Sequence, residues 1–147
     1  MLVFAALVGA AFAESAPQRT SFVLGQSKFL AGDRIVIDEV WSTSPKFSVG
    51  DKVLVRGHYT LSSRDDATLS LFVTTFEQVS VAVGKDQTLS VHSGSGSFEV
   101  SCEIRNEGTL HVSFYSADSG RPFGGIYFGT KEQMKRIAGI SLSNYEN

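Results

Sequence analysis

The 147-residue sequence has one cysteine and three prolines. A lone Cys102 cannot form an intramolecular disulfide, so packing alone must hold any fold together. Runs of like charge are also missing: 13 Lys and Arg are scattered among 15 Asp and Glu, for a net charge of −2. Non-specific nucleic-acid binding needs a basic face, and this charge distribution argues against that partner. No catalytic signature is present. Ser95 lies between Gly94 and Gly96, but the spacing is not that of a G-x-S-x-G elbow. Gly84-Lys85 lacks the upstream glycine and the following Ser or Thr of a phosphate loop. The residues therefore point to no enzyme and no cofactor.

Long apolar runs are absent too, apart from the start. Leu2 to Ala11 is apolar and uncharged, at about a dozen residues well short of the roughly 20 that cross a bilayer. Ala11-Phe12-Ala13 then gives a small-x-small cleavage pattern ahead of Glu14, although no Lys or Arg precedes the run. Residues 1–13 read as a removable secretory signal. That implies export to the periplasm or the exterior, with no membrane span once the signal is removed.

What remains is 42% apolar and 19% charged over the whole chain, which is a globular composition. Residues 14–31 are polar and weakly patterned, a flexible start that clips on at most one short edge strand. Arg34 to Ser42 is the first clear strand. Thr43 to Asp51, with Pro45 and Gly50, is a loop. Between Asp51 and Ser63, Val53, Val55, Gly57, Tyr59 and Leu61 face one way, and Lys52, Arg56, His58 and Thr60 face the other. Ser63-Arg64-Asp65-Asp66 reads as a hairpin turn. It leads to a second strand with Leu69, Leu71 and Val73 inward and Phe72 outward. Val79 to Val83 reads as a short strand or only a loop, Gly84 to Gln87 as a turn, and Leu89 with Val91 as another short strand. Gly94-Ser95-Gly96 then connects tightly into a strand that puts Phe98, Val100, Cys102 and Ile104 on one face, where the thiol acts as a small hydrophobe.

The most legible part follows. Leu110, Val112 and Phe114 alternate with His111, Ser113 and Tyr115. Ala117 to Pro122 has turn chemistry, and Phe123 to Phe128 returns. Gly124 and Gly125 in the return strand mark a bulge or a close approach. Thr130 with Gln133 forms a capping-box pair for a helix over Lys131 to Ala138, with Met134, Ile137 and Ala138 on one face and Gly139 as its stop. About seven or eight short strands, with turns every eight to twelve residues, predict an antiparallel, immunoglobulin-like β-sandwich over 32–129. A short helix and tail fill 130–147.

Three blocks, GDRIVIDEV from Gly32, GHYTLSSRDDATLSLFVTT from Gly57 and HVSFYSADSGRPFGGIYFGT from His111, together resemble a family of small exported bacterial proteins. The resemblance spans about Gly32 to Arg136. It implies a β-sandwich and no particular activity. Relatives carry a His and an Asp in the first hairpin turn; here Arg64 stands before Asp65, which weakens any metal or acid–base role for that turn.

Outward aromatics are the leading functional signal. Phe72 and Tyr115, joined by Trp41, form a candidate ligand-binding strip for a surface glycan or a protein, because flat rings give large contact area with little loss of side-chain freedom. Covering of those rings by the helix and the N-terminal segment is the competing reading. The alternative function is a metal-dependent hydrolase or metal-handling protein using His58, His111 and Asp65. No His or Cys spacing supports it, and His92 is likewise an isolated strand histidine. Asp65, Asp66 and Asp118 read as turn formers, and Glu99 and Glu103 as solvated charges on one strand face.

Overall fold

The computed structural model describes residues 15–75 and 84–138. The expected signal over 1–13, the strand at Val79 to Val83 and the helix stop at Gly139 lie outside the described residues. The elements are β1 (Gln18–Arg19), β2 (Val23–Lys28), β3 (Arg34–Ser42), β4 (Lys52–Thr75), β5 (Thr88–Glu103), β6 (Gly108–Ser116), β7 (Pro122–Gly129) and α1 (Lys131–Ile137). All strands pair antiparallel in one curled sheet of order β1-β3-β4-β6-β7-β2, with β5 on β4. Among the described residues the fold is therefore all-β with one short helix.

The main departure from the expected pattern lies in β4 and β5. The hairpin turn expected at Ser63 to Asp66 does not form, and β4 runs unbroken for 24 residues. Its pairing with β5 instead shifts register between Leu61 and Asp66. The reason is a remote carboxylate. Asp33, nearly buried, accepts the Ser62 and Ser63 amides at 2.8 and 3.0 Å and the Ser63 hydroxyl at 2.5 Å. Backbone donors that the ladder loses at the irregularity are satisfied by that side chain, so the strand bends without ending. The Arg64 guanidinium covers the Phe123 ring at 3.9 Å from the other side. Gly94-Ser95-Gly96 likewise is no connection; β5 continues through it, with Gly94 at φ +112°.

This bent pair organises the domain. The first half of β4 lies between β3 and β5, and the second half between β5 and β6. Side chains on the concave side meet: Val55, Leu69, Leu71, Val112, Phe114 and Phe128 are fully enclosed. Phe114 stacks on Phe123 at 5.6 Å and takes Tyr59 and Phe29 edge-on, while Phe128 takes Phe22 and Phe47 edge-on. Such rings dominate core energetics through their buried area.

Residues 15–31 do more than clip on one edge. β1 pairs with β3, and β2 pairs with β7 at the opposite end of the strand order, so a single short segment reaches both ends of the sheet. The Thr20 amide reaches the Val40 carbonyl between them, at 2.8 Å.

The helix forms as its capping box predicts. The Gln133 amide donates to Thr130 Oγ1 at 3.1 Å, and the Thr130 amide donates to Gln133 Oε1 at 3.0 Å. Met134 and Ile137 pack with Tyr127, whereas Ala138, expected on the same face, is exposed. The side-chain amide of Gln133 also donates to the Phe47 carbonyl at 3.0 Å. That bond fixes a bulky residue whose backbone sits in the left-handed region at φ 48°.

Candidate binding face

The outer face of β4, β6 and β7 carries two of the three expected aromatic site residues. Phe72 on β4 is in register with His111 on β6, and Tyr115 with Thr68. The Phe72 and Tyr115 rings meet edge-to-face at 5.3 Å, both half-buried. Next to them, Tyr127 donates or accepts a hydrogen bond with Thr74 at 3.0 Å, its ring 5.2 Å from the His111 ring. Helix α1 packs Met134 and Ile137 against Tyr127 at one end of this row.

Alternation placed His111 on a polar, exposed face; the structure encloses it. Its Nδ1 bonds the Ser113 hydroxyl at 2.8 Å, and burial pushes its pKa down to about 4, so the ring is neutral at pH 7. Both faces of β6 are covered here, one by the core and one by α1 and the Tyr127 row.

Trp41 does not join this strip. Pairing of β3 with β4 shifts register between Ile37 and Glu39, so Val40 and Ser42 face the core and Trp41 faces outward on the β3–β4–β5 side. Its neighbours there are charged. Arg56 bonds Glu99 at 2.7 Å and Glu39 at 3.1 Å, with Arg19 at 3.9 Å from Glu39. The Arg56 hydrogen bond is the main reason the Glu39 carboxylate sits below its usual range. The Trp41 indole N–H is enclosed without a hydrogen bond of proper geometry, and its nearness to Glu39 adds to that lowering.

The alternative metal set is not gathered. His58, in the first half of β4, bonds Asp38 at 2.9 Å, whereas His111 pairs with the second half and Asp65 lies in the bend between. His92 bonds Asp66 at 2.5 Å. Among the described residues, no three His, Cys, Asp or Glu side chains converge as a metal site would need. Burial pushes the Cys102 thiol up to about 12, and the side chain packs against the core as a hydrophobe.

Sequence reasoning missed polar contacts of three residues that fix the scaffold, among them the bond from Gln133, read only as a helix cap, to the Phe47 carbonyl. Asp33 acts as described above. The third, Asp51, collects Thr43 and Ser44 hydroxyls at 3.0 and 2.5 Å and the Ser48 amide at 2.9 Å, which tie up the β3–β4 loop. A lone Asp after Gly in a loop does carry a turn signal, but nothing local names its partners.

No protein-family model matches the chain, and neither a curated protein nor a solved structure matches it.

Proposed function

We propose that this is an exported, non-catalytic binding domain, its curled sheet working as an immunoglobulin-like sandwich and its Phe72–Tyr115 face taking a neutral glycan. The observation that carries the reading is the edge-to-face pair itself, half-exposed on neighbouring strands. Of its in-register neighbours, the uncharged Thr68 and Thr74 are half-buried and can border a ligand, whereas Thr109, His111 and Ser113 are buried. Sugar rings present apolar C–H faces and hydroxyl edges, which suits aromatic rings bordered by hydroxyl side chains. The scatter of His58, His111 and Asp65 favours binding over metal-assisted hydrolysis. Export rests on the apolar run ahead of Ala11-Phe12-Ala13 and on the resemblance to exported proteins. No helix among the described residues is long and apolar enough to cross a membrane.

Calorimetric titration with a panel of neutral and acidic oligosaccharides tests the ligand. Phe72→Ala and Tyr115→Ala are each expected to weaken binding about tenfold, with Trp41→Ala leaving it unchanged. Binding that only Trp41→Ala weakens, or the absence of any neutral glycan ligand, overturns the assignment. Mass spectrometry of the protein recovered from an expressing bacterium tests export: the expected N-terminus is Glu14.

A further inference from the structure

Among the described residues, β5 pairs with β4 alone and presents a second edge to no other strand. Strand parity identifies the groups on that edge. Beyond Gly94, the Ser101 amide points away from β4 to the Asp86 carbonyl at 3.0 Å. Ser95, Ser97 and Glu99 alternate in step with it, so their N–H and C=O groups point the same way. Before Gly94, the Gln87 carbonyl accepts the Leu71 amide at 3.0 Å, which turns odd-numbered residues toward β4 and leaves Thr88, Ser90 and His92 facing out. Apart from Ser101, these outward backbone groups have no partner among the described residues.

Soluble proteins usually guard such an edge with Lys, Pro, a bulge or a covering element. The other edges of this sheet follow that rule. β2 shifts register between Leu24 and Ser27 and carries Lys28, and β1 is two residues long. β5 does not. From Thr88 to Phe98 it has no Lys, Arg, Asp, Glu or Pro, and the extra residues at the bend belong to β4.

A bare strand edge is complementary to another strand, and an uncharged edge of Ser, Thr and Gly is complementary to itself. We propose that β5 is a self-association edge: two copies pair their β5 strands antiparallel about a twofold axis at Ser97. In that register Ser97 opposes the partner's Ser97, and Ser95 opposes the partner's Glu99, so no like charges meet. Glu99 keeps its Arg56 partner at 2.7 Å on the solvent face. Three residue pairs exchanging two bonds each give about six intermolecular hydrogen bonds. The contact rests on backbone and buries little side chain, so the dimer is weak and forms at high concentration.

Sedimentation equilibrium over roughly 1 to 500 µM tests this with wild type, Ser97→Pro and Ser97→Lys. The Ser97 amide serves no bond among the described residues, so proline is expected to remove only the intermolecular donor. Lysine leaves the edge donor intact but sets like charges face to face across the axis. Wild type is expected to rise above its 15.9 kDa monomer mass toward twice that value. Both variants are expected to associate at least about tenfold more weakly, with unchanged circular dichroism. Should the proline variant fail to fold, the lysine variant carries the comparison. A wild type that stays monomeric over the whole range overturns the proposal, as does a dimer that the folded variants form equally well.

Discussion

The carboxylate of Asp33 holds both backbone and side chain of Ser63, at 3.0 and 2.5 Å, across the middle of the longest strand in the molecule. This contact lets one strand serve both halves of the curled sheet. Removing the carboxylate costs two part-buried β4 amides and one hydroxyl their charged acceptor, and hydrogen bonds to a charged group contribute on the order of 1.5–3 kcal/mol. Asp33→Ala is therefore expected to destabilise the protein by about 3 kcal/mol, and Asp33→Asn, which keeps one acceptor, by about half as much. Urea unfolding followed by circular dichroism checks both values; an Ala variant within about 0.5 kcal/mol of wild type would show the bend to be self-supporting.

Acid sensitivity follows from His111. Unfolded, its imidazole takes a proton near pH 6.5; folded, only near pH 4. Between those values the unfolded state binds one more proton, so this contribution to stability is complete above pH 6.5 and declines as the pH falls. The slope is about 1.4 kcal/mol per pH unit, for a loss of roughly 3 kcal/mol by pH 4. His111→Phe keeps an aromatic ring and abolishes the proton uptake. Urea midpoints for this variant should be flat over the window in which wild-type midpoints fall. Parallel slopes for the two proteins would assign the acid sensitivity elsewhere. Asp51 acts lower still. Burial raises its pKa, but the bonds from Ser44, Ser48 and Thr43 outweigh that, so its contribution is lost only as the pH drops below the usual aspartate range.

Gly125 tests the packing of β6 against β7. A methyl group there would collide with the Ser113 hydroxyl and approach the Val112 carbonyl to 2.9 Å. Gly125→Ala is expected to cost about 2 kcal/mol, in the range of overpacked cores. Adding Ser113→Gly should recover part of that loss and not all of it, because the backbone contact remains. No recovery in a thermal-unfolding double-mutant cycle would show that the serine is not the main obstacle, and full recovery that the backbone contact costs nothing.

Local pattern carried much of the fold. The bounds of β3, the β6–β7 hairpin with its close glycine approach, the inward row of β4 and the capping box all follow from spacing within a few residues. Three features did not. Ser63-Arg64-Asp65-Asp66 has every mark of a turn, and only a carboxylate from outside the strand makes it extended. Trp41 stands apart from the expected strip because β3 pairs with the first half of β4 while Phe72 lies in the second, and the register shift that turns Trp41 outward is announced by no residue in IVIDEV. Alternation told which side of β6 His111 takes, but not that a helix from the far end of the domain would cover that side. Each miss is a long-range contact overruling a correct short-range preference. Phe72 and Tyr115 were legible as neighbours because both sit in regular stretches of strand.

The bridging of both sheet ends by residues 18–28 sets an order of events during synthesis. β2 leaves the ribosome well before β7, yet β7, finished only at Gly129, is its only strand neighbour among the described residues. Until then the early strand has nowhere to go, and the barrel-like curl stays unfastened along that seam. The sheet thus closes only once β7 has been made, however quickly the hairpins between have zipped.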